Sequence, residues 1–236
     1  LLIFRARVAD IIVLEVGLGG RLDAVNIVDP TVAVITSIDL DHQGWLGQSR
    51  GAIAREKAGI LRSQRPVVIA DPDPPSELVD CVTAVDASPA LYLGRDFTVT
   101  AARGEWQATL RQDDGGLRHL IPYSSGALLP ENICAAVQAA LLLNIEFSDD
   151  CLSRALVKAA PVGRRQVRQV AGRDYVLDVA HNPSAVYKLL EYLSVTSCNG
   201  KTMCIFSIMS DKDIQSIVNA ATGYFDAWFL ADQPDN

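Results

Sequence analysis

VLEVGLGGRLDAVN, residues Val13 to Asn26, joins an apolar run to a carboxylate and a glycine-rich turn. Ile11-Ile12-Val13-Leu14 reads as a buried strand of a parallel sheet, because a strand covered on both faces needs no polar alternation. It runs straight into Glu15, three glycines, Arg21 and Asp23. In α/β folds the ligand lies in the crevice beyond the carboxyl ends of the strands, which makes Glu15 a candidate site residue. Its competing role is to cap the sheet and meet a structural arginine such as Arg21. Gly17-Leu18-Gly19-Gly20-Arg21-Leu22 fails the GxGxxG pattern at its last position, and no helical pattern opens directly after it. The glycines therefore read as a loop whose backbone comes close to a ligand, and a dehydrogenase is the weakest reading.

Outward from this stretch, apolar strands alternate with amphipathic helices: IIVLEV, TVAVITSI, a helix near SRGAIAREKAGIL, then RPVVIA. This is the rhythm of a helix-covered parallel sheet. From Leu91 to Pro122 short polar-alternating runs predict an antiparallel appendage of hairpins. The helices ENICAAVQAALLLNI, with Pro130 before it, and DDCLSRALVKA follow. Pro161 and Gly163 then break the pattern, so a boundary is expected near Ala160 to Arg165, giving units 1–160 and 161–236. The second unit, from YVLDVAHNP to AWFLAD, is again α/β. LLIFRARVAD looks like a helix entered part-way, so further N-terminal sequence is expected, and the second unit is expected to be incomplete.

The composition, with 236 residues, 49% hydrophobic and 21% charged, is that of a folded chain with room for a substantial core. A formal net charge of -7 gives no field that would attract a nucleic acid backbone. Every apolar run breaks before the ~18 residues that a membrane helix needs. The five cysteines are scattered, without a CxxC pair or zinc spacing, which fits reduced thiols and a cytoplasmic location.

The TVAVITSI strand ends in Asp39-Leu40-Asp41-His42, again placing acid and imidazole at a strand terminus. His42 alone reads as a hydrogen-bonded structural histidine. With Glu15 at the end of a neighbouring strand, the pair looks like a divalent metal site, and oxygen-rich, cysteine-free surroundings favour Mg²⁺ over zinc. Lys57, near a helix C-terminus, is electrostatically ordinary by position. Asn199-Gly200-Lys201-Thr202 imitates the end of a phosphate loop but lacks its first glycine and lies between a helix and a strand, the reverse of the required order. In the second unit Asp178 ends an apolar strand, His181 and Asn182 open a helix that Asn182 can cap, and Ser210-Asp211-Lys212-Asp213 follows the strand MCIFSIM.

Six ordered segments, EVGLGGRLDAVN, ITSIDLDHQGWLG, AIAREKAGI, PVGRRQ, LDVAHNP and SIMSDKDI, together resemble the folylpolyglutamate synthase/dihydrofolate synthase enzymes of the Mur ligase superfamily. The resemblance implies a partial Mur-ligase-like ATPase domain followed by a Rossmann-like glutamate ligase domain. It implies ATP-dependent ligation of L-glutamate to dihydropteroate or to a reduced folate through an acyl phosphate, by a monomer. It puts Glu15, His42 and a carbamylated Lys57 on the Mg²⁺ and catalytic positions. Leu22, Asp23 and Ala24 fall on a pterin-contacting loop, Asn132, Arg164 and Asp178 on ATP contacts, and His181, Asp211 and Asp213 on the glutamate side. The family's GTNGKGS-type loop is not among these 236 residues, so the chain alone is expected to be inactive. Asp39 stands where a glycine is common, and Gln43-Gly44 replaces a polar-acidic pair. The alternatives are another Mur-type ligase, such as a peptidoglycan-precursor enzyme, and a non-catalytic nucleotide-binding remnant.

Overall fold

The structure, a computed structural model, describes residues 2–102, 105–112, 114–124, 128–159 and 161–232. Ala160, at the expected domain boundary, lies outside them. The first part runs α1 (Leu2–Arg7), β1 (Ala33–Ile35), α2 (Gln43–Leu46), α3 (Arg50–Lys57), β2 (Val67–Ile69), α4 (Ser76–Val85) and β3 (Ala90–Tyr92). Three longer strands follow, β4 (Thr98–Ala102), β5 (Glu105–Arg111) and β6 (Leu117–Ser124), and then α5 (Pro130–Leu142) and α6 (Asp149–Ala159). The remainder is β7 (Gln166–Val170), β8 (Arg173–Leu177), α7 (Pro183–Ser194), β9 (Met203–Phe206), α8 (Ile214–Ala221) and β10 (Ala227–Leu230).

β1, β2 and β3 form a parallel sheet in that order, with Ala33, Val67 and Ala90 in register. Side chains of β2 alternate between its faces, as strand geometry requires. Val67 and Ile69 enter a core with Ile53, Leu78 and Val82 of α3 and α4. Val68 and Ala70 enter another with Trp106, Leu110, Ile133 and Val137. The second core lies between the parallel sheet, α5 and the antiparallel sheet β4-β5-β6, so the expected appendage helps to close the main core. Gln138 locks this arrangement. Fully buried, its amide donates to the Arg111 carbonyl (2.7 Å) and accepts the Arg111 N–H (2.9 Å). The far part has its own smaller core of Val186, Ile217 and Ala221 against Phe206 and Trp228. Among the described residues, no helix is long and apolar enough to cross a membrane.

The structure corrects three expectations. Ile11 to Val16 is not a strand, and Val13 is 86% exposed. A strand exists through its ladder, and among the described residues β1 pairs with β2 alone, so there the apolar run has no strand beside it. Leu91 and Tyr92 belong to the parallel sheet through β3 rather than to the hairpins. The strand before Asp178 opens no parallel cycle: β8 folds back antiparallel on β7. Ala171 and Gly172 between them both have positive φ (49° and 72°), the backbone of a two-residue turn that matches strand twist.

Candidate active site

The carboxyl end of β1 is held by side chains because its ladder has ended. Ile38 N–H donates to the buried Asp71 carboxylate (2.7 Å), and the Ile38 carbonyl accepts from Arg50 Nε (2.8 Å). Arg50 Nη2 lies 3.1 Å from both Asp71 oxygens, so an ion pair satisfies both backbone groups of one residue. The segment Asp39 to His42 leaves from this clamp, and His42 turns into α2 with φ of 50°.

Asp41 is the meeting point of the two halves. Its carboxylate accepts from Asn182 Nδ2 at 3.1 Å and from the His42 N–H at 2.8 Å, with His181 Nε2 at 3.3 Å and Lys212 Nζ at 3.5 Å. Burial alone would raise this carboxyl, but the Asn182 amide, the His42 N–H and the Lys212 charge outweigh it and hold the group below the usual range. Lys57 is the last residue of α3. Burial pushes its ammonium downward against the opposing field of Asp41.

The glycine-rich turn is docked on the end of α3. A Cβ at Gly20 would come within 2.9 Å of both the Glu56 and Lys57 carbonyl oxygens, so a residue without a side chain is required there. Arg21 donates its N–H to the Glu56 carbonyl (2.9 Å) and pairs with the Glu56 carboxylate at 2.6 Å, leaving Glu15 unpaired by it. Asn26 donates to the carbonyls of Arg21 (3.1 Å) and Gly59 (3.0 Å), and Arg62 ties Asn26 to Asp29. Asp23 closes the turn by accepting the N–H groups of Gly17, Leu18 and Val25, which hold its carboxyl low.

A cavity of about 380 Å³ opens between these elements and the second half. His42, Lys57, Asp39, Arg164 and Asp178 line it, and so do Gly17 and Gly19. Glu15 is exposed and off its wall, although Val16 lines it. Leu22 is 87% exposed, and Asp23 and Ala24 also lie outside the lining. Asn132 lines a second, apolar cavity of about 450 Å³ between α5 and α6, and Leu129 belongs to both walls. Asp178 is engaged by two backbone groups, the N–H of Arg165 (2.9 Å) and of Ala180 (2.7 Å). Asp213 caps α8 by accepting the Ser216 N–H (3.0 Å), and Asp211 is exposed. The side chain that reaches inward from this segment is Lys212, only 10% exposed. Sequence reasoning named Lys212 only as part of the segment Ser210 to Asp213, without a role of its own, and passed over Asp71 and Arg50. The sole local signal was the cluster of charges around each.

The cavity wall is oxygen-rich, with Ser37, Asp39 and His42 and no thiol, which suits a hard divalent cation over zinc, while the Asp41 carboxylate is already engaged by Asn182, the His42 N–H and Lys212. Among the described residues, no three His, Cys, Asp or Glu gather into a metal-holding group.

Comparisons with known proteins bear on the family and the fold. Residues 163–236 match the Mur ligase, glutamate ligase domain. The dihydrofolate synthase/folylpolyglutamate synthase of Escherichia coli (strain K12) is 35% identical over 97% of this chain and 53% of its own length. The E. coli FolC structure in complex with DHPP and ADP superposes with a TM-score of 0.84 at 34% identity, over 94% of this chain and 52% of that one. This chain is a homologue of the dihydrofolate synthase/folylpolyglutamate synthases of the Mur ligase superfamily. A bifunctional folylpolyglutamate synthase/dihydrofolate synthase solved with Mn, AMPPNP and L-glutamate bound matches with a TM-score of 0.81 at 36% identity, over 95% of this chain and 53% of that one. The chain spans about half the length of the curated relatives it matches. The homology covers both the parallel-sheet unit and the glutamate ligase unit, so the partial Mur-ligase architecture expected from the sequence is present.

Proposed function

We propose that this chain carries the metal-side wall and the glutamate-ligase wall of an ATP-dependent folate ligase. The ligase joins L-glutamate to dihydropteroate or to the γ-carboxylate of a reduced folate through an acyl phosphate. The observation that carries the reading is the convergence of His42, Lys57, Arg164 and Asp178 on one cavity between the two halves. Glu15, His42 and carbamylated Lys57 would hold Mg²⁺, which when bound supplies positive charge to the transferring phosphoryl group. The protein's own residues orient and shield. Arg164 offers a fixed positive charge toward the phosphates. Asn132 and Asp178 fix the nucleotide, and Leu22, Asp23 and Ala24 meet the pterin. His181, with Asp211 and Asp213, serves the amino acid side. The Asp71–Arg50 clamp keeps the Asp39–His42 segment from shifting as charge builds. Units 1–160 and 161–236 then supply the two walls of a monomer that works in the cytoplasm on small molecules alone.

Relatives named as both dihydrofolate and folylpolyglutamate synthases support the dual acceptor range. The test is to assay the natural full-length protein for ATP- and glutamate-dependent consumption of dihydropteroate and of tetrahydrofolate. Turnover of either supports the reading and defines the acceptor, whereas a folded protein inert toward both overturns it. The 236-residue chain assayed alone is expected to be inert, and turnover by it would refute the need for a separate phosphate-binding loop.

A further inference from the structure

Three groups from the second half of the chain converge on one carboxylate of the first. Asn182 is 141 positions from Asp41, and Lys212 is further still, so only the fold brings them together. The contacts are built into the starts of two helices. Asn182 is used twice: Oδ1 accepts the Ala185 N–H (2.8 Å) as the cap of α7, while Nδ2 donates to Asp41 (3.1 Å). His181 Nδ1 lies 2.9 Å from the Val179 carbonyl, which places Nε2 3.3 Å from the same carboxylate, a contact that donates only from the doubly protonated ring. Lys212 sits in the turn before α8, pinned by its own N–H to Met209 O (3.2 Å) and by Ile214 N–H to its carbonyl (2.8 Å). Its amine, largely withdrawn from water, lies 3.5 Å from Asp41 and 3.6 Å from the exposed Asp211. A withdrawn amine and a carboxylate that is 23% exposed persist together because each compensates the other's lost hydration.

We propose that Asp41 is the docking point of the second unit and that Lys212 is a positioning residue that sets the width of the cleft. The starts of α7 and α8 are tethered to the loop that carries His42, so the wall bearing Arg164 and Asp178 is held at a fixed distance from Lys57. This role needs no bound ligand and acts through geometry. Its consequence for catalysis rests on the ligase reading above, but its structural part does not.

The test uses the 236-residue chain with Asp41→Asn, Lys212→Met, the double variant and the conservative Lys212→Arg. Hydrogen exchange is read at Ala185 and Ser216, the capped amides at the starts of α7 and α8. Each single substitution is expected to speed exchange about 10-fold, on the scale of one lost charge-assisted hydrogen bond. The double variant should be no faster than the faster single one, and Lys212→Arg should stay near wild type. Multiplicative effects in the double variant, or unchanged exchange in both singles, would overturn the proposal. Should Asp41→Asn fail to fold, Lys212→Met against Lys212→Arg decides alone: equal exchange in those two variants refutes the tether. In the full-length protein the same substitutions should raise KM for glutamate more than they lower kcat. A full-length protein without ligase activity but with coupled exchange would remove the functional reading and leave the docking point standing.

Discussion

Replacing Asp71 by alanine should cost the chain about 4 kcal/mol. Asp71 is 2% exposed and accepts the Ile38 N–H (2.7 Å), the Asp73 N–H (2.9 Å) and Arg50 Nη2 at 3.1 Å to each oxygen. Truncation leaves two backbone donors without a partner, each worth about 1–3 kcal/mol when buried. It also breaks an ion pair whose loss costs about 3–5 kcal/mol when both ends are buried. Arg50 is 37% exposed, so water replaces most of the ion pair, and the two donors, at about 2 kcal/mol each, set the total near 4 kcal/mol. Unfolding by urea, followed by far-ultraviolet circular dichroism, should then show the midpoint falling by about 2 M for a slope near 2 kcal/mol/M. Asp71→Asn keeps an acceptor for Ile38 and should fall between the two. A midpoint within about 0.5 M of wild type for the alanine variant would refute the idea that this pair replaces the missing ladder at the end of β1.

Gly20→Ala puts a methyl group 2.9 Å from two carbonyl oxygens and should destabilise the turn by about 1–3 kcal/mol. Faster proteolytic cleavage between Gly17 and Asp29 than in wild type would report it, and unchanged cleavage would contradict the close approach. For the ligase proposed above, Lys57→Ala should lower kcat by at least about 100-fold, with partial recovery on adding a short carboxylic acid that stands in for the proposed carbamate. Lack of recovery at any carboxylate concentration would argue against a carbamate there. Cys134 is fully buried, and burial, with Glu131 nearby, pushes its thiol up to about 12. Its folded value is raised, so the stability it confers is complete below the unfolded value of about 8.5 and is lost as pH rises from there toward the folded value. Urea midpoints should therefore decline from pH 8.5 upward, more steeply in wild type than in Cys134→Ala. Equal slopes would remove the thiol as the cause.

Much of the fold was legible because it is written in local pattern. TVAVITSI, RPVVIA and the helices beginning at Arg50, Pro130, Asp149, Pro183 and Ile214 carry period, caps and breakers of their own. The segment Ile11 to Val16 misled for a physical reason: an apolar run states that a strand would be favourable, but only a neighbouring backbone makes one. The β7–β8 hairpin was missed because its turn is Ala171-Gly172, and alanine is not a residue that announces a positive φ. The motifs located His42, Lys57, Arg164 and Asp178 on a shared cavity wall. They could not reveal Asp71 with Arg50, or Asp41 with Lys212. Those pairs join residues far apart in sequence, and a charged residue that will be buried looks the same in sequence as one that will be solvated.

The reciprocal bond between Gln138 and the backbone of Arg111 has a consequence for anyone shortening this protein. At Arg111, the last residue of β5 and beyond the reach of β4, one side-chain amide takes the place of a strand partner and at the same time fixes the rotation of α5. Excising the β4-β5-β6 sheet would leave that amide buried against nothing and free the helix to turn about its axis. Asn132, less than two turns away, would swing with it. The sheet that looks dispensable at the edge of the sequence pattern works as the keyway that holds α5 in register.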